Sequence, residues 1–194
     1  MENKIKAFFN DIAEHWDNAD DDLARIDSLL DELDIKKGDA VLDVGCGKGI
    51  ITPLLQKRTG NNVLAIDLSD EMIKGAIAAH KDNPHLTFKC GDFVESDFDN
   101  QFDYIVIFNA YPHFMNIESL KKAVYKALKK DGHFAIVHSI SKEQLNTHHK
   151  QHAMGVSRPL ERADVEAKKF EAQFKIEKCL DRNDSYIIVL QKIS

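Results

Sequence analysis

The sequence predicts an α/β domain: a doubly wound, mostly parallel seven-stranded sheet with helices on both faces and a C-terminal antiparallel hairpin. Three observations carry this. Short apolar runs alternate with segments of helical period from about residue 40 onward. The stretch AVLDVGCGKGIIT, Ala40 to Thr52, reads as a buried strand, a glycine-rich turn and the start of a helix. The last two apolar runs are joined only by Asp181-Arg182-Asn183-Asp184, too short a connection for a crossover.

The glycine turn organises the rest. Asp43 interrupts the apolar run Ala40-Val41-Leu42 where the strand should end, and Gly45, Gly47 and Gly49 follow at alternate positions. Without Cβ atoms such a turn admits positive φ and close approach of the backbone to a ligand. Its amides and the following helix N-terminus point outward from the strand end. Pro53 suits a first helical turn, where a missing N–H costs nothing.

In chain order, residues 3–16 place Ile5, Phe8, Phe9, Ile12 and Trp16 at helical spacing. This aromatic face is either core or a lid over a site. Asn18 to Asp22 is a polar break, and residues 21–33 form a second amphipathic helix. After the glycine turn a helix runs to about Arg58. Val63 to Ile66 is a second strand closed by Asp67. Ser69 reads as an N-cap, with Asp70 and Glu71 favoured by the helix dipole, for a helix ending near His80. Leu86 to Cys90 and Phe102 to Asn109 are strands, read as buried throughout. Ile117 to Lys129 is a helix capped by Asn116, and Asp131-Gly132 turns into a fifth strand, His133 to His138. Ser141 and Gln144 form a capping box opening a helix through His152. Met154 to Leu160 is a loop and Glu161 to about Ala172 another helix. Phe174 to Cys179 and Tyr186 to Gln191 make the hairpin. Residues 1–194 read as one domain, with 1–36 a helical lid and 141–172 a helical insertion on the substrate side.

Composition narrows the partners. With 26 basic and 32 acidic residues the net charge is −6, which argues against a nucleic-acid substrate. Cys46, Cys90 and Cys179 are odd in number and widely spaced, which fits a reducing, cytoplasmic setting rather than a disulfide framework. No apolar run approaches the roughly 20 residues needed to span a bilayer, so no membrane partner is expected.

Ligands of an open parallel sheet bind outside the carboxyl ends of its strands. Asp43, Asp67, Asp92, Asn109 and His138 fall there. Asp67 suits a ribose diol, Asp43 an ammonium or amide, and Asp92 with Phe93 an adenine.

On these residues the sequence resembles the class I S-adenosylmethionine-dependent methyltransferases, a Rossmann-like family whose sheet closes with an antiparallel strand. Asp43-Val-Gly45-Cys-Gly47-Lys-Gly49 matches the family's first motif. The resemblance implies S-adenosyl-L-methionine as cofactor, its methionine end cradled by Asp43, Gly45, Cys46 and Gly47. It implies Asp67 on the ribose, Leu68 or Met72 flanking the adenine, and Asp92 and Phe93 contacting it. Asn109 then lies near the methyl group. The opening FFNDIAEHWD resembles the entry helix of the small-molecule subgroup, which assigns Phe8 and Trp16 to the cofactor side and makes the acceptor a small molecule. A nicotinamide-binding turn is the rival, but its G-x-G-x-x-G spacing fails because Ile50 occupies the third glycine position. Asn109-Ala-Tyr-Pro112 loosely resembles an amino-methylating motif, with Ala for its first Pro, and is read as accidental.

The acceptor end is assigned to histidines. His113 follows the fourth strand, His138 ends the fifth, and His149 lies on the next helix. They are expected to share a rim, with His113 or His138 acting as general base, assisted by Asn146 and His149. A metal held by these imidazoles is the alternative, and a non-catalytic cofactor-binding module is a further one.

Overall fold

The structure, a computed structural model, describes residues 2–16 and 22–193. Five strands run parallel: β1 (Val41–Val44), β2 (Val63–Asp67), β3 (Leu86–Cys90), β4 (Phe102–Phe108) and β5 (Leu128–His138). β7 (Tyr186–Lys192) inserts antiparallel between β5 and β6 (Phe174–Asp181). Among the described residues these form one seven-stranded sheet in the order β3-β2-β1-β4-β5-β7-β6. The predicted architecture and the closing hairpin are therefore observed.

Side chains alternate across this sheet, so each strand feeds two cores. Leu42, Val44, Ile105, Ile107, Phe134 and Ile136 pack on one face with Leu120 and Val124 of α5 (Ile117–Ala127). Val41, Val63, Val106 and Val137 pack on the other with Ile26, Leu29 and Leu30 of α2 (Leu23–Leu30) and Leu55 of α3 (Thr52–Thr59). The caps match the sequence reading. Ser69 Oγ accepts from Met72 N at 3.1 Å to open α4 (Asp70–Ala79), and Asn116 caps α5. Ser141 and Gln144 form the reciprocal box of α6 (Lys142–His152).

Several boundaries differ, each for a local reason. α1 (Glu2–Ala13) stops short of Trp16, because the chain tightens into i−3 bonds from His15 N to Ile12 O and Trp16 N to Ala13 O. The second helix ends at Leu30 and passes through a 3₁₀ turn to Asp34, whose φ is 56°. The polar break at 18–22 lies outside the described residues, save Asp22, whose carboxylate accepts from Arg25 N. β3 is the sheet edge, so it is partly exposed rather than buried. The expected turn at Asp131-Gly132 is a bulge inside β5: Phe102 pairs with Leu128 and Tyr104 with His133. Asp103 bridges it, accepting from Ala40 N at 2.8 Å and from Lys129 Nζ at 2.7 Å. α7 (Ala163–Lys168) is shorter than the predicted helix because its C-terminal residues close i−3 bonds, Lys169 N to Glu166 O and Phe170 N to Ala167 O.

Candidate cofactor and acceptor site

The chain leaves β1 for one sheet edge through β2 and β3, then returns to β1's other side as β4. Ligands of doubly wound sheets bind at such a reversal. The carboxyl ends of β1, β2 and β4 line a cavity of about 570 Å³ there.

Asp43 lies at its inner end, 1 % exposed. Its Oδ2 accepts from Thr52 Oγ1 at 2.7 Å, while Oδ1 is buried with no partner. Burial lifts this carboxyl to about 7 against the opposing Thr52 bond. An orphaned buried carboxylate oxygen demands a donor, and a cationic amino group satisfies both its charge and its lone pairs.

The glycine turn curls back on β2. Gly45 N and Cys46 N donate to Ile66 O at 2.8 and 3.2 Å, and Gly47 N donates to Asp67 Oδ2 at 2.8 Å. Gly45, Gly47 and Gly49 have φ of 69°, 54° and 79°. A Cβ on Gly45 would stand 2.7 Å from Ala110 Cβ, whereas Gly47 opens onto free space. Gly45→Ala should therefore cost about 1–3 kcal/mol through left-handed strain and overlap; a denaturation midpoint equal to wild type would contradict this. Cys46 lines the cavity, but burial holds its thiol protonated and unreactive.

Asp67 has two tasks. Oδ2 fixes the glycine turn through Gly47 N, and Oδ1 accepts from Ser69 N at 2.8 Å at the start of α4. Burial raises its pKa, and those backbone donors oppose the shift. Each oxygen keeps a free lone pair for hydroxyl donors. Leu68, Met72 and Asp92 line the same region. Phe93 lines it too, but is 3 % exposed and stacks on Phe98, so it serves as cavity wall from the core side. Asn109, with φ of 53°, clasps Ser139: its Oδ1 accepts from Ser139 N at 2.9 Å and its Nδ2 donates to Ser139 Oγ at 3.0 Å. It lines the cavity while tying the ends of β4 and β5 together.

α1 covers the cavity mouth. Asn10 bonds Asp70 and Ser69, Lys6 pairs with Asp70 at 2.9 Å, and Lys48 Nζ donates to Trp16 O at 2.7 Å. Ile5, Phe9 and Trp16 face inward. Phe8 does not reach the cavity, contrary to the sequence assignment. At about 100° per residue, positions 5 and 9 of α1 share one stripe and position 8 leaves it, while Trp16 reaches the cavity from the turn that follows α1. Phe8 instead meets Phe9 edge-on at 5.2 Å. Phe9→Ala should weaken S-adenosylhomocysteine binding roughly tenfold, and Phe8→Ala by less than about twofold. Equal effects in calorimetry would refute this division.

The histidines split. His113 and His149 line the cavity with ring centroids 5.0 Å apart, joined by His148. His113 Nδ1 lies 2.9 Å from Val156 O, and Phe9 stands edge-on to its ring at 4.8 Å. A carbonyl only accepts, so Nδ1 carries the proton and Nε2 the lone pair. Burial lowers the pKa of both residues, His149 to about 4. His138 is not on the rim. It shares the face of Phe134 and Ile136, packs on Tyr186 at 5.9 Å, is fully buried and lies outside the cavity lining. Asn146 also lies outside it: its side chain clamps Leu160, accepting from N at 2.8 Å and donating to O at 2.9 Å. Among the described residues no group of three or more His, Cys, Asp or Glu is placed to hold a metal ion. Sequence reasoning missed Phe114, Met115, Ser139 and Ile140 as lining residues, since no motif marks them.

This sheet order, the glycine turn after β1 and the acids beyond β1, β2 and β3 define a class I S-adenosylmethionine-dependent methyltransferase fold. Residues 41–132, just under half of the chain, match the family described as "Methyltransferase domain". It is 34% identical over 122 residues to the sterol 24-C-methyltransferase of Saccharomyces cerevisiae, covering 61% of this chain and 32% of that protein. The chain thus spans about a third of that relative's length. Its structure resembles a chain of the complex between the Haloferax volcanii Trm112 methyltransferase activator and a methyltransferase, with a TM-score of 0.80, 17% identity and 98% of each chain covered. It also resembles the Streptomyces coelicolor geranyl diphosphate C-methyltransferase solved with S-adenosyl-L-homocysteine, with a TM-score of 0.69, 14% identity and 88% and 76% covered. Among the described residues no helix is long and apolar enough to cross a membrane.

Proposed function

We propose that this protein methylates a small, partly apolar molecule using S-adenosyl-L-methionine. The observation that carries this is one cavity with two chemically distinct ends. At one end Asp43 Oδ1 is buried without a partner; at the other stand His113 and His149 among Phe9, Phe114, Met115 and Ile140. When bound, the cofactor supplies an electrophilic methyl group on a sulfonium. Asp43 would hold its amino group, the glycine turn would pass beneath it, and Asp67 would accept from its ribose hydroxyls. α1 would cover the pair and exclude water, serving as the lid. A relative named for action on a sterol favours an apolar acceptor.

His113 takes the part of general base. Its Nδ1–H is held by Val156 O, which aims the ring and leaves Nε2 to receive a proton. Burial keeps it unprotonated near neutral pH. His149 completes the acceptor end, and Asn146 positions α6, which carries it, through its clamp on Leu160. A module that binds the cofactor without catalysis would give the imidazole end no task. The test is release of S-adenosylhomocysteine from methyl-labelled cofactor across a library of small apolar acceptors. Release with a labelled product supports the enzyme; cofactor binding with no release across the library favours the binding module.

A further inference from the structure

The charge and hydrogen-bonding character of the acceptor end restrict what can be methylated; this rests on the methyltransferase reading above. We propose that the acceptor is an uncharged, largely apolar molecule bearing a heteroatom–hydrogen donor, a phenol, thiol or azole N–H, and is neither an anion nor an alkene carbon.

The first observation is the absence of a usable cation. Among the described residues lining the cavity, the carboxylates are Asp43, Asp67, Asp92 and Glu95, and the lone amine is Lys48. Lys48 Nζ is already engaged, donating to Trp16 O at 2.7 Å. Arg158, whose backbone N donates to Pro112 O beside His113, is spent on Glu166, with Nη1 at 2.9 Å from Oε1. A phosphate or carboxylate head in this end would lose its water and meet no free lysine or arginine counter-charge on the cavity wall. An ammonium fares no better, since it lacks a lone pair for the new bond and would sit beside the cofactor's sulfonium.

The second observation is a hydrogen-bond acceptor on one imidazole beside an unpartnered nitrogen on another. His113 offers Nε2, because Nδ1–H is given to Val156 O. His149 Nδ1 is buried with no partner, and the two rings lie 5.0 Å apart. Burial keeps both imidazoles neutral. An alkene leaves both ring nitrogens without a partner, which is costly in a dry site, whereas an O–H, S–H or N–H donates directly to His113 Nε2. The step balances. The acceptor's heteroatom gives its proton to His113 Nε2 and forms the bond to the methyl carbon, and the C–S electron pair stays on sulfur. Neutral S-adenosylhomocysteine results, with one proton on the imidazole. Sterol-type carbon methylation, named for one relative, is thereby set aside for this chain.

The test uses the full chain and one carbon skeleton with different heads: 4-propylphenol, 4-propylbenzenethiol, 4-propylbenzoate, 4-propylphenyl phosphate and 4-propylstyrene. Calorimetry with S-adenosylmethionine comes first; absence of binding sinks the methyltransferase reading itself. With the cofactor bound, methyl transfer to the phenol or thiol should exceed transfer to the benzoate and phosphate by at least about a hundredfold. The styrene should give no labelled product. Anion or styrene rates within about tenfold of the phenol and thiol, or a cofactor-loaded protein that leaves both phenol and thiol unmethylated, overturn the proposal.

Discussion

Asp43→Asn should weaken S-adenosylmethionine binding by about a hundredfold and, in the same protein, raise the thermal midpoint without ligand. The first effect follows from removing the charged partner of a buried ammonium, a hydrogen bond of about 1.5–3 kcal/mol. The second follows from linkage. In the folded chain burial lifts the Asp43 carboxyl to about 7, from an ordinary value of 3.8. Between those two pH values the folded state holds a proton that the unfolded state has released. Stability from this group is therefore fully present below the unfolded value and is lost as pH rises through about 7. Above that, the ionised Asp43 costs up to about 4 kcal/mol. Asn carries no such penalty and can still accept from Thr52 Oγ1, although its amide lacks a partner. A gain of about 2 kcal/mol at pH 8, roughly 5 °C, is expected to shrink toward zero near pH 4. Unchanged affinity, or a lower midpoint at pH 8, would show that Asp43 is structural.

Arg158→Ala should cost about 3–5 kcal/mol, the largest stability effect expected in this chain. Glu166 is fully buried, and Arg158 meets it at 2.9 and 3.3 Å through two nitrogens. Tyr111 Oη donates to the same carboxylate at 2.9 Å, and Lys169 Nζ lies 3.0 Å away. Burial alone would push the Glu166 pKa up; Arg158, Lys169 and Tyr111 outweigh it and hold it low. This group therefore stabilises above the ordinary glutamate range and loses its contribution as pH falls through its lowered folded value. The Arg158→Ala chain should unfold in denaturant well before wild type at pH 7, with a difference that narrows in acid. The pair also seats the site: Arg158 N donates to Pro112 O at 3.0 Å, and Val156 O on the same loop holds His113. Methyl transfer should fall with stability. A midpoint shift under about 0.5 kcal/mol would mean that Lys169 alone suffices.

The cofactor half of the site was legible because its signals are local. A strand, a glycine turn and an acid at the next strand end follow one another in sequence, and the sheet places them at one edge whatever else the chain does. The acceptor half depends on long-range register. His138 looked like a rim residue because it ends β5, but its parity with Phe134 and Ile136 and its pairing with Tyr186 turn it into the core. Asn146 looked chemical and proved to be a clamp on Leu160, a partner no spacing announces. Phe8 and Phe9 are adjacent, so helical phase alone decides which one reaches the cavity, and phase depends on how α1 docks on Asp70. The bulge in β5 was hidden because Asp131-Gly132 reads as a turn, and only the pairing of Phe102 with Leu128 and of Tyr104 with His133 shows the strand continuing through it.

Isothermal calorimetry of the full chain tests the central claim most directly, with S-adenosylmethionine, S-adenosylhomocysteine and a nicotinamide dinucleotide titrated into wild type, Asp43→Asn and Asp67→Ala. The glycine turn and the strand-end acids predict one-to-one binding of both sulfur ligands to wild type, at least about tenfold weaker in each variant, and no heat from the dinucleotide. Dinucleotide binding, or sulfur-ligand binding indifferent to Asp43 and Asp67, would contradict it.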